Sequence, residues 1–223
     1  MPAVRNVNSF WSIKIPVGVT WPLALILFFG LGAQALPISA APLDPKATIA
    51  KAVDEFTEIL SDQELAIPAN RERRHRLLVA TAENFFDFKE ISMRVMGPRW
   101  RELSDQERAS FTEIFKQFLK SNYIARMDDY AGEQVLIDDQ EIREDRRGNR
   151  FAMVKTRFGM REREIQINYL LLQRGGDWLV YDVNIEGVSL VRNFRTQFEP
   201  HSFNELIRRM EESIAAGKEL RQS

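Results

Sequence analysis

Few residues of this 223-residue chain have types and spacings that could support chemistry. The two histidines, His75 and His201, lie outside any metal-binding motif, and the chain has no cysteine. The spacings of a serine-hydrolase elbow, a phosphate-binding loop and a dinucleotide-binding turn are also missing. Thiolate catalysis and Cys-ligated zinc are therefore excluded, and we expect neither a metal nor a cofactor.

Asp182 is the remaining candidate for acid–base chemistry, and two interpretations of it are open. A buried aspartate with a raised pKa could act as a general base, as in cone-shaped isomerases. Alternatively, it could accept backbone hydrogen bonds where the chain turns from sheet to helix near Gly187, with Arg192 or Arg195 as further partners. No partner acid is identifiable, so we predict a structural Asp182 and a protein that is not an enzyme.

The N-terminal segment is typical of a secretory signal peptide. Its only charges are Arg5 and Lys14, an apolar run covers 17–31, and small residues follow. The run is shorter than the roughly 20 residues of a membrane-spanning helix, and Pro22 interrupts it. We therefore predict that 1–41 is cleaved on export, with an uncleaved anchor as the alternative.

The predicted mature chain, 42–223, has the pattern of one domain in which helices come first, a sheet follows and helices close the chain. The net charge of −1 gives no general attraction to nucleic acid. Helical periodicity begins at 46 and recurs over five further segments: 70–84, 89–96, 104–130, 188–198 and 202–216.

The clearest helix begins at Ser104. Ser104 and Glu107 have the spacing of a capping box, in which each side chain accepts a hydrogen bond from the other residue's backbone. A broad apolar stripe follows on this helix: Phe111, Ile114, Phe115, Phe118, Leu119 and Tyr123. Such a stripe is ordinarily core, although opposite a sheet it could enclose an apolar cavity.

From Gln134 the apolar period changes to two, which predicts strands over 134–144, 150–158, 162–173 and 177–186. Gly148-Asn149 and Gly175-Gly176 fit hairpin turns, because glycine tolerates positive φ. On the fourth strand the odd-numbered residues 179–185 are apolar. We expect an α+β fold in which a curved antiparallel sheet of about four strands carries helices on one face and encloses an apolar pocket.

A basic cluster at the start of the second helix, 71–76, has two interpretations. It could contact lipid headgroups or a membrane surface. It could also be an ordinary solvated helix face, and Glu72 dilutes its charge.

Several groups of residues, in this order, resemble the toluene-tolerance/MlaC family of periplasmic lipid-binding proteins. They are Phe86-Asp87-Phe88, Gly97 and Trp100, the apolar face of the Ser104 helix, the block from Trp178 through Asp182 and Gly187 to Leu190, and finally Arg195 and Phe198. The similarity extends over about 46–212, nearly all of the predicted mature chain.

The resemblance implies a periplasmic carrier that shuttles phospholipid between the inner and outer membranes. Its implied partners are an inner-membrane ABC transporter complex and an outer-membrane lipoprotein complex. Some relatives accompany hopanoid synthesis, so a hopanoid or another polycyclic lipid is an alternative ligand. A small-molecule enzyme on a cone-shaped fold and a membrane-anchored interaction protein are the other two classes left open.

For such a carrier, the lipid site is predicted on the Ser104 helix and the sheet facing it. The candidate lipid-binding residues are Phe111, Phe115, Phe118, Tyr123, Ile165, Ile167, Tyr169, Val183 and Ile185.

Overall fold

The structure is a computed structural model that describes residues 44–124, 127, 132–160 and 163–222. The predicted signal peptide, 1–41, and its cleavage site lie outside the described residues. The helices of the described chain are α1 (Pro45–Ser61), α2 (Arg71–Phe85), α3 (Phe88–Met96), α4 (Asp105–Tyr123), α5 (Leu190–Phe198) and α6 (Phe203–Gln222). Short 3-10 helices at Pro68–Asn70 and Gly97–Glu102 precede α2 and α4.

One antiparallel sheet follows α4, and its strands stand in chain order. They are β1 (Gln134–Glu144), β2 (Arg150–Met160), β3 (Arg163–Arg174), β4 (Asp177–Ile185) and β5 (Val188–Ser189). The α+β class and the antiparallel meander are confirmed. The fifth, two-residue strand was not predicted, and it delays the start of α5 from the predicted 188 to Leu190.

Side-chain caps mark where α1, α3, α4 and α5 begin, whereas Asn70 makes no such bond at the start of α2. The predicted capping box is present: Ser104 Oγ accepts from the Glu107 amide, and the Glu107 carboxylate accepts from the Ser104 amide. Asp44 and Asp87 cap α1 and α3 with a single side-chain bond each, accepting from the Ala47 and Glu90 amides. Each cap satisfies amides that the first helical turn leaves without partners, so these starts are encoded locally.

A β-bulge on β4 changes which side chains face the core. Leu171 is paired with Val180 but Leu170 with Asp182, so Tyr181 is an extra residue on β4. Trp178 and Val180 are consequently buried before the bulge. The expectation that all odd-numbered residues of this strand share one face is therefore wrong for its first half, because a bulge reverses the alternation.

The buried residues form two hydrophobic cores. The sheet core lies between α1, α2 and the inner face of β1–β4, and includes Phe56, Leu78 and Val154. The helical core joins α3, α4, α5 and α6 around aromatic rings such as Phe111. Phe86 packs against both, at the junction of α2 and α3.

Candidate functional site

An apolar cavity of about 210 Å³ lies at the junction of the two cores. Phe56 of the sheet core and Phe115 and Phe194 of the helical core all line it, as does Phe86, which belongs to both. Its walls come from α1, α2, α3, α4, β4 and α5. The cavity therefore exists because two separately packed cores meet without filling the space between them.

Helix α4 forms one wall of the cavity with a face that differs from the face it packs into the helical core. Residues of the cavity face recur at spacings of three and four: Lys116, Leu119, Lys120 and Tyr123. The core face, Phe111, Phe115 and Phe118, is rotated from it by roughly a third of a turn. One broad apolar stripe thus serves both purposes, and Phe115 touches the core and the cavity alike.

The Phe86-Asp87-Phe88 segment forms the wall between α2 and α3. Both phenylalanine rings line the cavity, while the Asp87 carboxylate caps α3 by accepting from the Glu90 amide at 2.9 Å. Phe86 also forms a parallel bridge with Val180, and the Asp87 amide donates to the Val180 carbonyl at 2.9 Å. This segment therefore anchors the helices to the edge of β4 beside the bulge.

An ion-pair network around a buried carboxylate contacts the bulge residue Tyr181, which lines the cavity. The carboxylate of Glu90, buried to 6% side-chain exposure, pairs with both Arg94 and Arg174 at 2.8 Å. The Arg94 guanidinium in turn lies 3.9 Å from the centre of the Tyr181 ring. Burial raises the pKa of the Tyr181 phenol, and the Arg94 charge opposes that rise.

Asp182 ties the bulge to the start of α5. One carboxylate oxygen accepts from the amides of Val183 at 2.8 Å and Val191 at 3.0 Å, and the other accepts from the Ser189 hydroxyl at 2.6 Å. Ser189 caps α5 through the Arg192 amide. The prediction that this carboxylate accepts backbone hydrogen bonds at the sheet-to-helix turn is confirmed.

Arginine pairing with Asp182 is not what the structure shows. The Arg195 guanidinium donates to the Arg94 carbonyl, which joins α5 to α3. Arg192 contributes its backbone amide to the Ser189 cap. The three donors that Asp182 does have are sufficient to satisfy a carboxylate at this position.

Lys116, one of the two lysines on the cavity face, is paired with two carboxylates. The Lys116 ammonium pairs with Glu83 of α2 at 2.9 Å and with Glu113 at 2.8 Å. Hydrogen bonds to Glu113 and Glu83 raise the pKa of Lys116, so it stays protonated. The lining itself is almost wholly apolar, which shows that the lysine stems border the cavity while the charges stay at its rim.

Three of the nine predicted lipid-binding residues line this cavity: Phe115, Tyr123 and Val183. The remaining six are buried elsewhere. Phe111 and Phe118 are packed in the helical core, and Ile165, Ile167, Tyr169 and Ile185 lie in the sheet core. Whether any of the nine contacts lipid stays a prediction.

Much of the cavity wall was not predicted from sequence. The unpredicted residues include Val79, Ala82, Phe86, Phe88, Leu119 and Leu190. One feature of the sequence could have indicated the cavity wall: in α4, two lysines interrupt an otherwise apolar face. A second was the pair of phenylalanines that flanks a helix-capping aspartate.

The basic cluster of α2 is less exposed than its composition indicates. Arg74 and His75 are buried, with 7% and 3% exposure, and Arg74 donates to the Leu60 carbonyl at the end of α1. Arg73 pairs with Glu64. Part of this cluster therefore holds α2 against α1, so the expectation of an ordinary solvated helix face is wrong for Arg74 and His75. Contact of the cluster with a membrane stays a prediction.

Sequence comparison now identifies the family. The family described as MlaC protein matches residues 50–212. The chain belongs to the MlaC family. The match contains all the residues that line the cavity.

A solved structure shares the fold of this MlaC-family chain. It is a phospholipid-binding protein from Ralstonia solanacearum in complex with a phospholipid, with a TM-score of 0.68 and 21% sequence identity. The alignment covers 79% of this chain and 99% of that protein. Curated proteins gave no match.

The residues that carried the resemblance to this family now have structural roles. Phe86 and Phe88 form a cavity wall, and Trp178 is buried in the sheet core. Asp182 joins the bulge to the α5 cap. Within the described part of the chain, no helix has both the length and the apolar character needed to cross a membrane.

Proposed function

We propose that this protein is a phospholipid carrier that shelters acyl chain in the cavity between its two cores. The observation that carries the proposal is the cavity itself, about 210 Å³ with an almost wholly apolar lining. Membership of the MlaC family and the phospholipid held by the Ralstonia protein of the same fold support it.

The energetics favour a carrier without a catalytic group. Exposing an acyl chain to water costs about 0.8 kcal/mol per CH₂, or roughly 12 kcal/mol for a sixteen-carbon chain. A carrier must therefore cover most of the chain, whereas a polar headgroup can remain in water. The carboxylate on the cavity wall, Asp182, accepts three structural hydrogen bonds and so has a role that needs no chemistry.

The cavity must widen to take a complete lipid. Its volume is below the roughly 300–1,000 Å³ of pockets for drug-sized ligands, and a two-chain phospholipid is larger than such ligands. The walls belong to two different cores, so movement of one core against the other widens the cavity without breaking either. The Lys116–Glu83 ion pair, which joins α4 to α2, is one contact that resists this movement.

The site of action follows from the predicted signal peptide and the family. We infer that 1–41 directs export to the periplasm and is removed. There the protein would exchange lipid with an inner-membrane ABC transporter complex and an outer-membrane lipoprotein complex. N-terminal sequencing of the envelope-localised protein should find a start between Leu36 and Leu43, and a start at Met1 or Pro2 would contradict cleavage.

Native mass spectrometry of protein purified from an envelope fraction tests the ligand directly. We expect a bound mass that extraction identifies as phospholipid. A polycyclic lipid in its place would support the hopanoid alternative, and protein that carries no lipid would overturn the proposal.

A matched pair of substitutions on α2 tests the location. Ala82 lines the cavity, whereas Ala80, two residues earlier on the same helix, is exposed. Ala82→Trp should fill the cavity and remove bound lipid, and Ala80→Trp should retain it. Equal lipid content in the two folded variants would place the binding site elsewhere.

A further inference from the structure

The two lysines at the cavity rim lie on the same face of α4 but differ in the charged groups around them. Lys116 and Lys120 stand one helical turn apart on the cavity face of α4, and both border an apolar lining. Two carboxylates, Glu83 and Glu113, already neutralise Lys116. An anionic ligand at that ammonium would meet the repulsion of both carboxylates.

Lys120 has no carboxylate partner within the described part of the chain. Asp182, the acidic residue on the cavity wall, has both carboxylate oxygens occupied by the amides of Val183 and Val191 and the hydroxyl of Ser189. Among the described residues, Lys120 is therefore a cation of the rim without a carboxylate partner, next to the apolar space where an acyl chain would lie.

We propose that Lys120 binds the phosphate of the lipid headgroup and so makes the carrier prefer anionic phospholipids to zwitterionic ones. The inference rests on the proposed function, since it requires the acyl chain of the same lipid in the cavity. The ammonium on its flexible stem reaches a phosphate as a compact point charge. In a zwitterionic choline headgroup, the quaternary ammonium beside the phosphate cancels most of this attraction.

The expected preference for anionic phospholipid is modest, because solvent at the cavity rim screens the charge of Lys120. A charge pair at a partly exposed position changes affinity by about two- to five-fold. The preference should also fall with added salt, since the Debye length shrinks from roughly 30 Å at 0.01 M to 3 Å at 1 M.

A competition experiment measures the preference directly. The mature protein is incubated with vesicles that contain equal amounts of dioleoyl phosphatidylglycerol and dioleoyl phosphatidylcholine. It is then re-isolated, and both bound lipids are quantified by mass spectrometry. The acyl chains of the two lipids are identical. The ratio of bound phosphatidylglycerol to bound phosphatidylcholine therefore measures the headgroup preference, and the total amount of bound lipid measures acyl-chain binding in the cavity.

Wild-type protein should enrich phosphatidylglycerol about two- to five-fold at low salt, and Lys120→Gln should bring the ratio close to one with the total unchanged. Lys51→Gln is the control, because Lys51 is an exposed lysine of α1 outside the cavity lining. Equal ratios in wild type and Lys120→Gln overturn the inference and leave the carrier function standing. Loss of both lipids together in Lys120→Gln also overturns it, and a wild type that binds neither lipid overturns both proposals.

A gain-of-function variant provides a second test. Replacing Glu83 and Glu113 with glutamine releases the Lys116 ammonium one turn from Lys120. The phosphatidylglycerol preference of this double variant should rise by a further factor of about two to five. An unchanged preference contradicts the inference, because an unpaired rim cation would then be insufficient to recognise the headgroup.

Discussion

The core face and the cavity face of α4 show how one helix supports both a packed core and an open space. On the core face, the Phe111 and Phe115 rings stack with centroids 5.6 Å apart, and Phe194 and Phe198 of α5 meet them edge-on. The cavity face borders the apolar cavity instead and carries Lys116, Leu119, Lys120 and Tyr123. The difference lies in what the rest of the fold brings opposite each face.

This contrast assigns stability and binding to different residues of the same helix. Phe115 belongs to both faces, so a change such as Phe115→Asp would bury a charge in the core and cannot separate the two roles. Substitutions at residues that belong to only one face are more informative.

Phe111→Ala should give the largest loss of stability. Phe111 is fully buried and packs edge-on against Trp100 and Phe198. Its truncation leaves a cavity, and we expect the free energy of unfolding to fall by about 3–5 kcal/mol. Denaturant titration measures this loss. Lipid content per folded molecule should be unchanged, and a parallel loss of lipid would show that the two faces are not independent.

Asp182→Asn should have the next largest effect. The change weakens hydrogen bonds to a carboxylate with three donors, and we expect a loss of about 1–3 kcal/mol in the free energy of unfolding. Bound lipid should stay nearly stoichiometric in the folded fraction. Asp177→Asn, at the exposed start of β4, is the control. Unchanged stability together with loss of a specific activity would instead support an acid–base role for Asp182.

Leu119→Asp should affect binding more than stability. Leu119 is half-buried, lines the cavity and packs at the edge of the helical core, so the structural cost combines a lost apolar contact with the lower helix propensity of aspartate, at most about 0.7 kcal/mol. A carboxylate in an otherwise apolar lining should nevertheless prevent the acyl chain from binding. Thermal melts measure the stability of the variant, and lipid quantification on the same preparation measures its bound lipid. Full lipid content in this variant would mean that the cavity face does not hold the chain.

The smallest effect should come from Glu113, through its dependence on pH. Hydrogen bonds from Lys116 and Gln117 hold the pKa of Glu113 below its ordinary value. The pair therefore stabilises the fold above the unfolded pKa of about 4.3, and this contribution disappears as the pH falls through the folded pKa. The free energy of unfolding of wild type should exceed that of Glu113→Gln by about 0.2–0.5 kcal/mol at neutral pH. In acid the two free energies should be equal.

Glu58→Gln provides the comparison for this titration, because Glu58 is an exposed glutamate of α1. Its difference from wild type should not change with pH in the same way. If the Glu113→Gln difference persists in acid, the ion pair at the cavity rim is not its origin.

The amino-acid sequence determined the local structure of this protein. The Ser104–Glu107 capping box and the glycine turns lie within a few residues of the elements they define, and each appears where it was predicted. The α+β class followed because the apolar period changes from helical to alternating at Gln134. The Asp182 hydrogen bonds were also predictable, since the turn from sheet to helix supplies nearby amides.

Only the tertiary structure decided which apolar residues would fill a core and which would line a cavity. Apolar periodicity reports that a side chain is removed from water, and this holds equally for Phe111 in the helical core and for Leu119 at the cavity. The bridge between Phe86 and Val180 joins segments that are distant in sequence, beside the bulge at Tyr181. Phe86 and Tyr181 both line the space that remains where the two cores meet, and this space is the candidate site.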